Sequence, residues 1–380
     1  MKRLRAFALA AAIVGFGLPS AVFAASYSLV YYLGTDQHVH ELRYNGSSWA
    51  TTDLETATGA PSAASESSLV GNLYGSSDNI YYVAVDGDIH DFTFYGSPAS
   101  WHTLDITASA GAIKPTATTP LVSNTYGTAE DVFFIATDGH VHSLAYYTGA
   151  WHTSDITVRA GAPNPVSGSP LSGEAYNVNG APYENLYYIA SDLHVHQLSF
   201  NTTAWTTLDV TYATGAPSAA AGAALTSHVF GSSDNVFYVA GDNHIHSLAY
   251  YGGAWHTSDI TARASAPGVV SGSPLTGNAN GALDNVFFVD PNTHVHQLLL
   301  SGSTWTSFDA SGTAGAPDPA TGSALTSLVY SSIEDAFYEA GDEHVHLLSY
   351  SNGGWHASDP SALSGAPYAA IGSVASFVGN

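Results

Sequence analysis

The chain has no cysteine in its 380 residues. This excludes a disulfide scaffold, a thiolate metal centre and a cysteine nucleophile. Basic residues are almost as scarce, with seven Lys and Arg against 31 Asp and Glu. Three of them, Lys2, Arg3 and Arg5, stand at the N-terminus, leaving Arg43, Lys114, Arg159 and Arg263 for the remainder. A surface so acidic repels nucleic acid and anionic lipid, and it has little guanidinium to clamp an anion. Past the N-terminal segment no stretch approaches eighteen unbroken apolar residues, so no membrane span is expected. Gly-x-Ser-x-Gly, a phosphate-binding glycine loop and Asp-x-Asp-x-Asp are all missing. Charged residues make up only 10% of the chain and hydrophobic ones 45%, which fits a neutral, folded, hydroxyl-rich protein rather than a disordered acidic one.

Residues 1–25 read as a secretory signal peptide. The charged start is followed by a small-residue and apolar stretch, Ala6 to Leu18, and Val22-Phe23-Ala24 supplies the small residues of a cleavage site. Cleavage is expected near Ala24 or Ala25, giving a secreted protein, extracellular or periplasmic.

What the chain does have is a repeat. Seven copies of one pattern run through it, reading roughly as an aromatic doublet, Asp-x-His-x-His (broken in the second copy, where Asp88 stands for the first His), a Trp, and an Asp four residues after the Trp. The tryptophans are Trp49, Trp101, Trp151, Trp205, Trp255, Trp305 and Trp355, separated by 52, 50, 54, 50, 50 and 50 residues. A period of about 40–50 residues made of short strands is that of a β-propeller, one blade per repeat. The predicted fold is all-β, a seven-bladed propeller with four antiparallel strands per blade, occupying residues 26–380 as a single domain.

The fifth copy shows the strands. Ala224 to Phe230, Asn235 to Ala240, His244 to Tyr251 and Trp255 to Thr261 are rich in β-formers and are separated by Gly, Ser, Asp and Asn turns. The doublet on each second strand (Tyr31-Tyr32, for instance, or Phe237-Tyr238) puts an aromatic on both faces, as a blade between two neighbours requires. The segment Gly372 to Val378 matches a first-type strand, whereas the chain begins in a second-type strand at Leu29 to Leu33. The C-terminal strand would then complete the first blade. A phase in which each blade starts at its doublet, without exchange, is the alternative.

The repeated polar residues have plain structural readings. The second His of each pair is expected to bond a neighbouring strand or turn, and the Asp preceding the pair to form the turn. The Asp after the Trp is expected to accept backbone N–H groups leading into Gly-Ala-Pro. A His-x-His pair on one strand face can grip a metal, but two ligands are too few and no third or fourth is evident nearby, so no metal is expected. No cofactor and no catalytic residue are expected either, because catalytic carboxylates appear singly or as an unlike pair, not seven times over. The Trp admits two roles: a plug between blades, or a flat face for the apolar side of a sugar ring.

Segments such as Asp138-Gly-His-Val-His-Ser-Leu144, with Trp151-His-Thr-Ser-Asp-Ile-Thr157 and Gly161-Ala-Pro163, resemble the repeats of fucose-specific lectin β-propellers, over nearly the whole chain past residue 25. The resemblance implies sugar bound between adjacent blades. It also implies an Arg before the doublet, a Glu after the third-strand His, and an aromatic from the neighbouring blade. The Glu position falls on Glu41, Asp91, Ser143, Gln197, Ser247, Gln297 and Leu347. The Arg position falls on Leu29, Asn79, Asp131, Asn185, Asn235, Asn285 and Asp335, so no copy keeps Arg. Family members often have six blades, against seven repeats here. The candidate carbohydrate-binding residues are therefore the seven tryptophans with Glu41, Asp91, Gln197, Gln297, Asn79, Asn185, Asn235 and Asn285. The expected partners are glycans, bound without catalysis. A protein-interaction propeller with degenerate sugar sites is the alternative, and a glycan-cleaving propeller the more remote one.

Overall fold

The computed structural model describes residues 27–178, 181–270, 272–330 and 332–379. The proposed signal peptide lies outside them. Seven four-stranded antiparallel sheets are arranged as the blades of a propeller. We number them I to VII in chain order. Blade V is representative: strands Leu225–Phe230, Ser233–Val239, Ile245–Tyr251 and Ala254–Asp259, followed by a one-turn helix, Ile260–Ala264.

The first strands of neighbouring blades adjoin one another in a closed cycle and form the inner wall. In blade I this inner strand comes from the other end of the chain. Ala369–Gly379 pairs antiparallel with Tyr27–Gly34, with Tyr31 opposite Ala375 and Leu29 opposite Phe377. The exchanged phase is thus the one adopted.

The doublets pack as their alternation requires. Phe237 faces blade VI and meets the Trp305 ring edge-on at 6.2 Å. Tyr238 faces the other way, lies beside the tilted ring of His246, and donates its hydroxyl to the Pro217 carbonyl at 2.6 Å. The same bond joins Tyr82 to Pro61, Tyr188 to Pro163 and Tyr338 to Pro317. The Gly-Ala-Pro linker is therefore an acceptor station for the next blade. The largest fully buried side chains are all aromatic, Tyr31, Tyr32, Phe133 and Phe237 among them. Burying each contributes about 1.5–3 kcal/mol.

The fourth strand of blade V ends at Asp259, earlier than the sequence pattern suggested, because the chain turns there into the short helix. Among the described residues each copy has such a helix, with the post-Trp Asp as N-cap in every case. Five residues are too few to show a 3.6-residue period, so the helix left no pattern to read. The cap explains the repeated Asp: Asp155 Oδ1 accepts the Val158 N–H at 2.9 Å, satisfying one of the free donors of the first turn. Two positions after that Asp stands a hydroxyl in most copies. Thr157 Oγ1 accepts the Val141 N–H at 2.9 Å, tying helix to third strand; Glu55 does this in blade I, for Val39.

The histidines are held by both aspartates of the repeat. In blade III, Asp138 Oδ1 accepts the His140 N–H while its Oδ2 lies 3.0 Å from His142 Nε2. His140 Nδ1 lies 2.8 Å from Asp155 Oδ2. His142 and Asp155 are directly opposite in the ladder, so their side chains share a face. A turn-forming Asp and a second His bonded to the turn match the structural readings; the closeness of two carboxylates to each His pair does not follow from the sequence spacing.

Candidate carbohydrate-binding clefts between blades

The grooves between blades are built by the same residues in each sector. The first doublet aromatic of one blade meets the Trp of the next edge-on, as in Tyr81 with Trp151 and Phe133 with Trp205. On the outer side of that contact the groove opens. Clefts of about 360, 300 and 410 Å³ lie between blades II and III, III and IV, and V and VI. These volumes are in the range of small-ligand sites.

Each cleft has an apolar wall and a polar floor. Between II and III the wall is Trp151 and Tyr146, and the floor is Asn79, Asp91 and Glu130. Between III and IV the wall is Trp205 with Phe200, and the floor is Asp131, Ser143 and Glu184. Between V and VI the wall is Trp305 with Leu300, and the floor is Asn235, Ser247 and Asp284. Asn79 donates to Glu130 Oε1 at 2.6 Å, and Asp91 accepts the Leu104 N–H at 2.7 Å.

Burial dominates the floor electrostatics. It lifts the Asp91 carboxyl to about 7, with the nearby Glu130 adding to the rise and the Leu104 N–H opposing it. It lifts Asp131 to about 7 as well, again with Glu130 adding. Glu130 and Glu184 are also pushed up by burial. Near neutral pH the floors of the II/III and III/IV clefts therefore mix protonated and ionised carboxyls, able to donate as well as accept hydrogen bonds.

The remaining candidates are disposed differently. Asn285 and Gln297 are buried and bonded to one another and to Glu334, with Gln297 Nε2 to Asn285 Oδ1 and to Glu334 Oε2 both at 2.8 Å. Asn185 is fully buried and donates to Tyr176 and Asp234, each at 3.1 Å; Gln197, half-buried, donates to Tyr187 at 3.3 Å. Glu41 accepts from Arg43, whose guanidinium carbon stands 5.0 Å from the centre of the Phe94 ring. These residues are engaged with protein partners. All seven tryptophans pack edge-on against the preceding blade: Trp49 on Phe337, Trp101 on Tyr31, Trp255 on Tyr187, Trp355 on Phe287, and the three cleft residues. Trp151 and Trp305 are only 8% and 7% exposed, so each is chiefly a plug whose remaining surface lines its cleft.

Three features escaped the sequence reading. The first is the acid of the following blade, Glu130, Glu184 or Asp284, which reaches into the preceding cleft. An acid stands just before the presumed Arg position in six copies, and that repetition on an apolar strand was a usable signal. The second is Arg159 and Arg263, which line two clefts from the one-turn helix and bond Ser154 and Ser258. The third is a stacked Tyr–His pair at the rim of each cleft: Tyr95 on His102, Tyr147 on His152 and Tyr251 on His256, at 4.2, 4.1 and 4.0 Å.

Among solved structures, the chain is similar in fold to the BP39L lectin from Burkholderia pseudomallei, with a TM-score of 0.69 at 16% identity over 87% of this chain and 94% of that one. It is also similar to the lectin of Aleuria aurantia, described as a six-bladed β-propeller with a novel fucose recognition mode. That match has a TM-score of 0.55 at 16% identity over 80% and 97% of the two chains. SapL1 lectin, solved with alpha methyl fucoside, gives 0.55 at 14% identity over 77% and 95%. No family model matches the sequence, and no curated protein matches it either. At these identities the likeness is one of fold: this chain shares the architecture of lectin propellers.

Proposed function

We propose that the protein is an exported, non-enzymatic lectin that binds neutral carbohydrate, fucose or a related sugar, in its inter-blade clefts. The observation that carries this reading is the joint lining of one cleft by two blades. Trp205 of blade IV stands opposite Asp131 and Ser143 of blade III, and the arrangement recurs with Trp151 and Trp305. An indole face beside a few hydrogen-bonding groups suits a sugar ring with one apolar and one polar side. The fold neighbours support it: SapL1 lectin was solved with alpha methyl fucoside. The sites meant are the clefts II/III, III/IV and V/VI. Asn79 and Asp91 serve the first, Asn235 the third, and Trp151, Trp205 and Trp305 the three walls.

Each site would be weak, since a millimolar site amounts to roughly −4 kcal/mol. Several sites on one rigid ring raise avidity for a glycan-coated surface by about 10²–10⁴. A glycan array with calorimetry on fucose, galactose and methylated sugars tests the reading. Saturable binding of at least one neutral sugar supports it, and silence at tens of millimolar across the panel removes it.

The engaged amides Asn185, Asn285 and Gln297 favour a second reading for their own sectors: these are blade interfaces without ligand, available to a protein partner. A pull-down that finds a protein partner while the glycan array stays silent would favour it.

A further inference from the structure

We propose that blades III, IV and VII each carry a divalent transition-metal site of two imidazoles and two carboxylates, of the class that binds zinc. The sets are Asp138, His140, His142 and Asp155; Asp192, His194, His196 and Asp209; and Asp342, His344, His346 and Asp359. In each, one donor atom per residue lies within 4.8 Å of the other three. The proposal stands apart from the carbohydrate reading and uses none of the cleft residues named for it.

The spacing fits a tetrahedral ion. With ligands at about 2.0–2.1 Å from zinc, the edges of the tetrahedron are about 3.3 Å. In blade III the four His–Asp edges are 2.8, 3.0, 3.8 and 3.9 Å. In blade IV they are 2.7, 3.2, 3.7 and 3.8 Å. These values straddle the ideal. The short edges are hydrogen bonds that an ion would replace, opening them by a few tenths of an ångström while the long edges close.

The ligands are also oriented in advance. Each Asp commits its other oxygen to backbone: Asp138 Oδ1 to the His140 N–H, and Asp155 Oδ1 to the Val158 N–H. The His142 ring lies against Phe134. Such supports are what hold ligands in place around bound metals. A shift of tautomer frees the two facing nitrogens, and no net proton loss is needed where both histidines are neutral. The set then carries two negative charges, balanced by one divalent cation. Imidazole with carboxylate suits zinc and its neighbours; calcium needs six to eight oxygens. Asp138 and Asp155 keep 34% and 28% of their side chains exposed, so an ion can enter without unfolding.

Blade II supplies an independent observation. There Asp88 replaces the first His, giving Asp86, Asp88, His90 and Asp105 at the same station. Lys114, itself exposed, reaches the new acid from the rim: its Nζ donates to Asp88 Oδ2 at 2.9 Å and to the Asp86 backbone carbonyl at 2.8 Å. Where an imidazole is lost and an acid gained, a lysine pairs with that acid.

The test uses the full chain, stripped with chelator and titrated with Zn²⁺ by calorimetry and with Co²⁺ by visible absorption. We expect at least three ions per chain near neutral pH, since blades I and V carry the same residue types (Asp36, His38, His40, Asp53 and Asp242, His244, His246, Asp259), and intense four-coordinate cobalt bands. Asp155→Asn keeps a helix-capping side chain and should remove one equivalent. The double change D88H with K114A should add one, a gain that impaired folding cannot imitate. No saturable uptake, uptake unaltered in both variants, or cobalt spectra of six-coordinate form would overturn the proposal.

Discussion

The indole of Trp49 meets the phenyl ring of Phe337 edge-on, with centroids 6.3 Å apart and planes at 83°. One residue belongs to the first blade and the other to the last, so this contact closes the circle that the other six Trp contacts build. It repeats the local geometry of Phe237 with Trp305, at 6.2 Å and 77°. The last interface is therefore made like the others, reinforced by the strand that the C-terminus lends to blade I.

Trp49→Ala should weaken the whole ring, by about 3 kcal/mol, in the range for truncating a large aromatic at a packed interface. Tyr95→Ala, on an exposed rim, should cost less than about 0.5 kcal/mol. Urea unfolding of the two variants makes the comparison. Deleting residues 369–380 should be worse than either, because it strips the inner strand from blade I. If the ring is one cooperative domain, as proposed, all probes should report a single transition.

Asp259→Ala removes a helix cap and a partner of His244 together. A loss of about 1–2 kcal/mol is expected by denaturant titration. Asp259→Asn keeps an acceptor for the Ala262 N–H and should recover most of the cap contribution.

Stability should be highest in mildly acidic solution. Burial lifts Asp91 and Asp131 to about 7 and Asp335 to about 6, above their unfolded value of about 4. Their contribution is complete below the unfolded value and is lost as pH rises through 6–7. His38 and His294 are raised by the hydrogen bonds they donate to Asp53 and Asp309, so their contribution also fades above about pH 6.5. The opposite limit comes from Asp138, Asp192 and Asp342. Partial burial works against ionisation there, but backbone N–H groups and histidines hold these carboxyls below their ordinary value. Their contribution is lost as pH falls below about 4. Thermal melts should therefore peak between about pH 4 and 6 and decline toward pH 8. A Tm that rises steadily through pH 8 would show that the buried carboxyls do not titrate this way.

Asn79 and Asn285 occupy equivalent positions but should differ in their effect on binding. Asn79→Ala takes a polar group from the II/III cleft and leaves Glu130 short of a partner, so it should weaken sugar binding there and lower stability as well. Asn285→Ala leaves Glu334 and Gln297 short of a partner inside a closed interface. It should lower stability by about 1–3 kcal/mol while leaving binding at the three clefts unchanged. Melting curves and sugar titrations on both variants separate the two effects.

The fold was legible because seven equally spaced tryptophans and doublets leave few other architectures, and the resemblance of residues 138–163 pointed the same way. The exchanged strand was visible as one of two phases, and pairing of residues 369–379 with 27–34 decided between them. The clefts were less legible. A one-dimensional repeat does not say which copies seal their amides: Glu334 ties up both Asn285 and Gln297, whereas Asn79, though bonded to Glu130, and Asn235, with Asp284 across its cleft, still line open grooves. Arg159 and Arg263 stand on helices too short to leave a period. The His–Asp sets joined residues fifteen apart, His140 with Asp155 for example, through a strand register that spacing alone could not supply.

The most direct measurement is a crystal of the protein soaked in a neutral monosaccharide that scores on the array, or in methyl fucoside if none is singled out. Sugar rings lying against Trp151, Trp205 and Trp305, with hydroxyls on the floors of those three clefts, are the expected result. Sugar bound elsewhere on the disc, or clefts that stay empty at tens of millimolar, would contradict the proposal that the grooves between blades are the working sites.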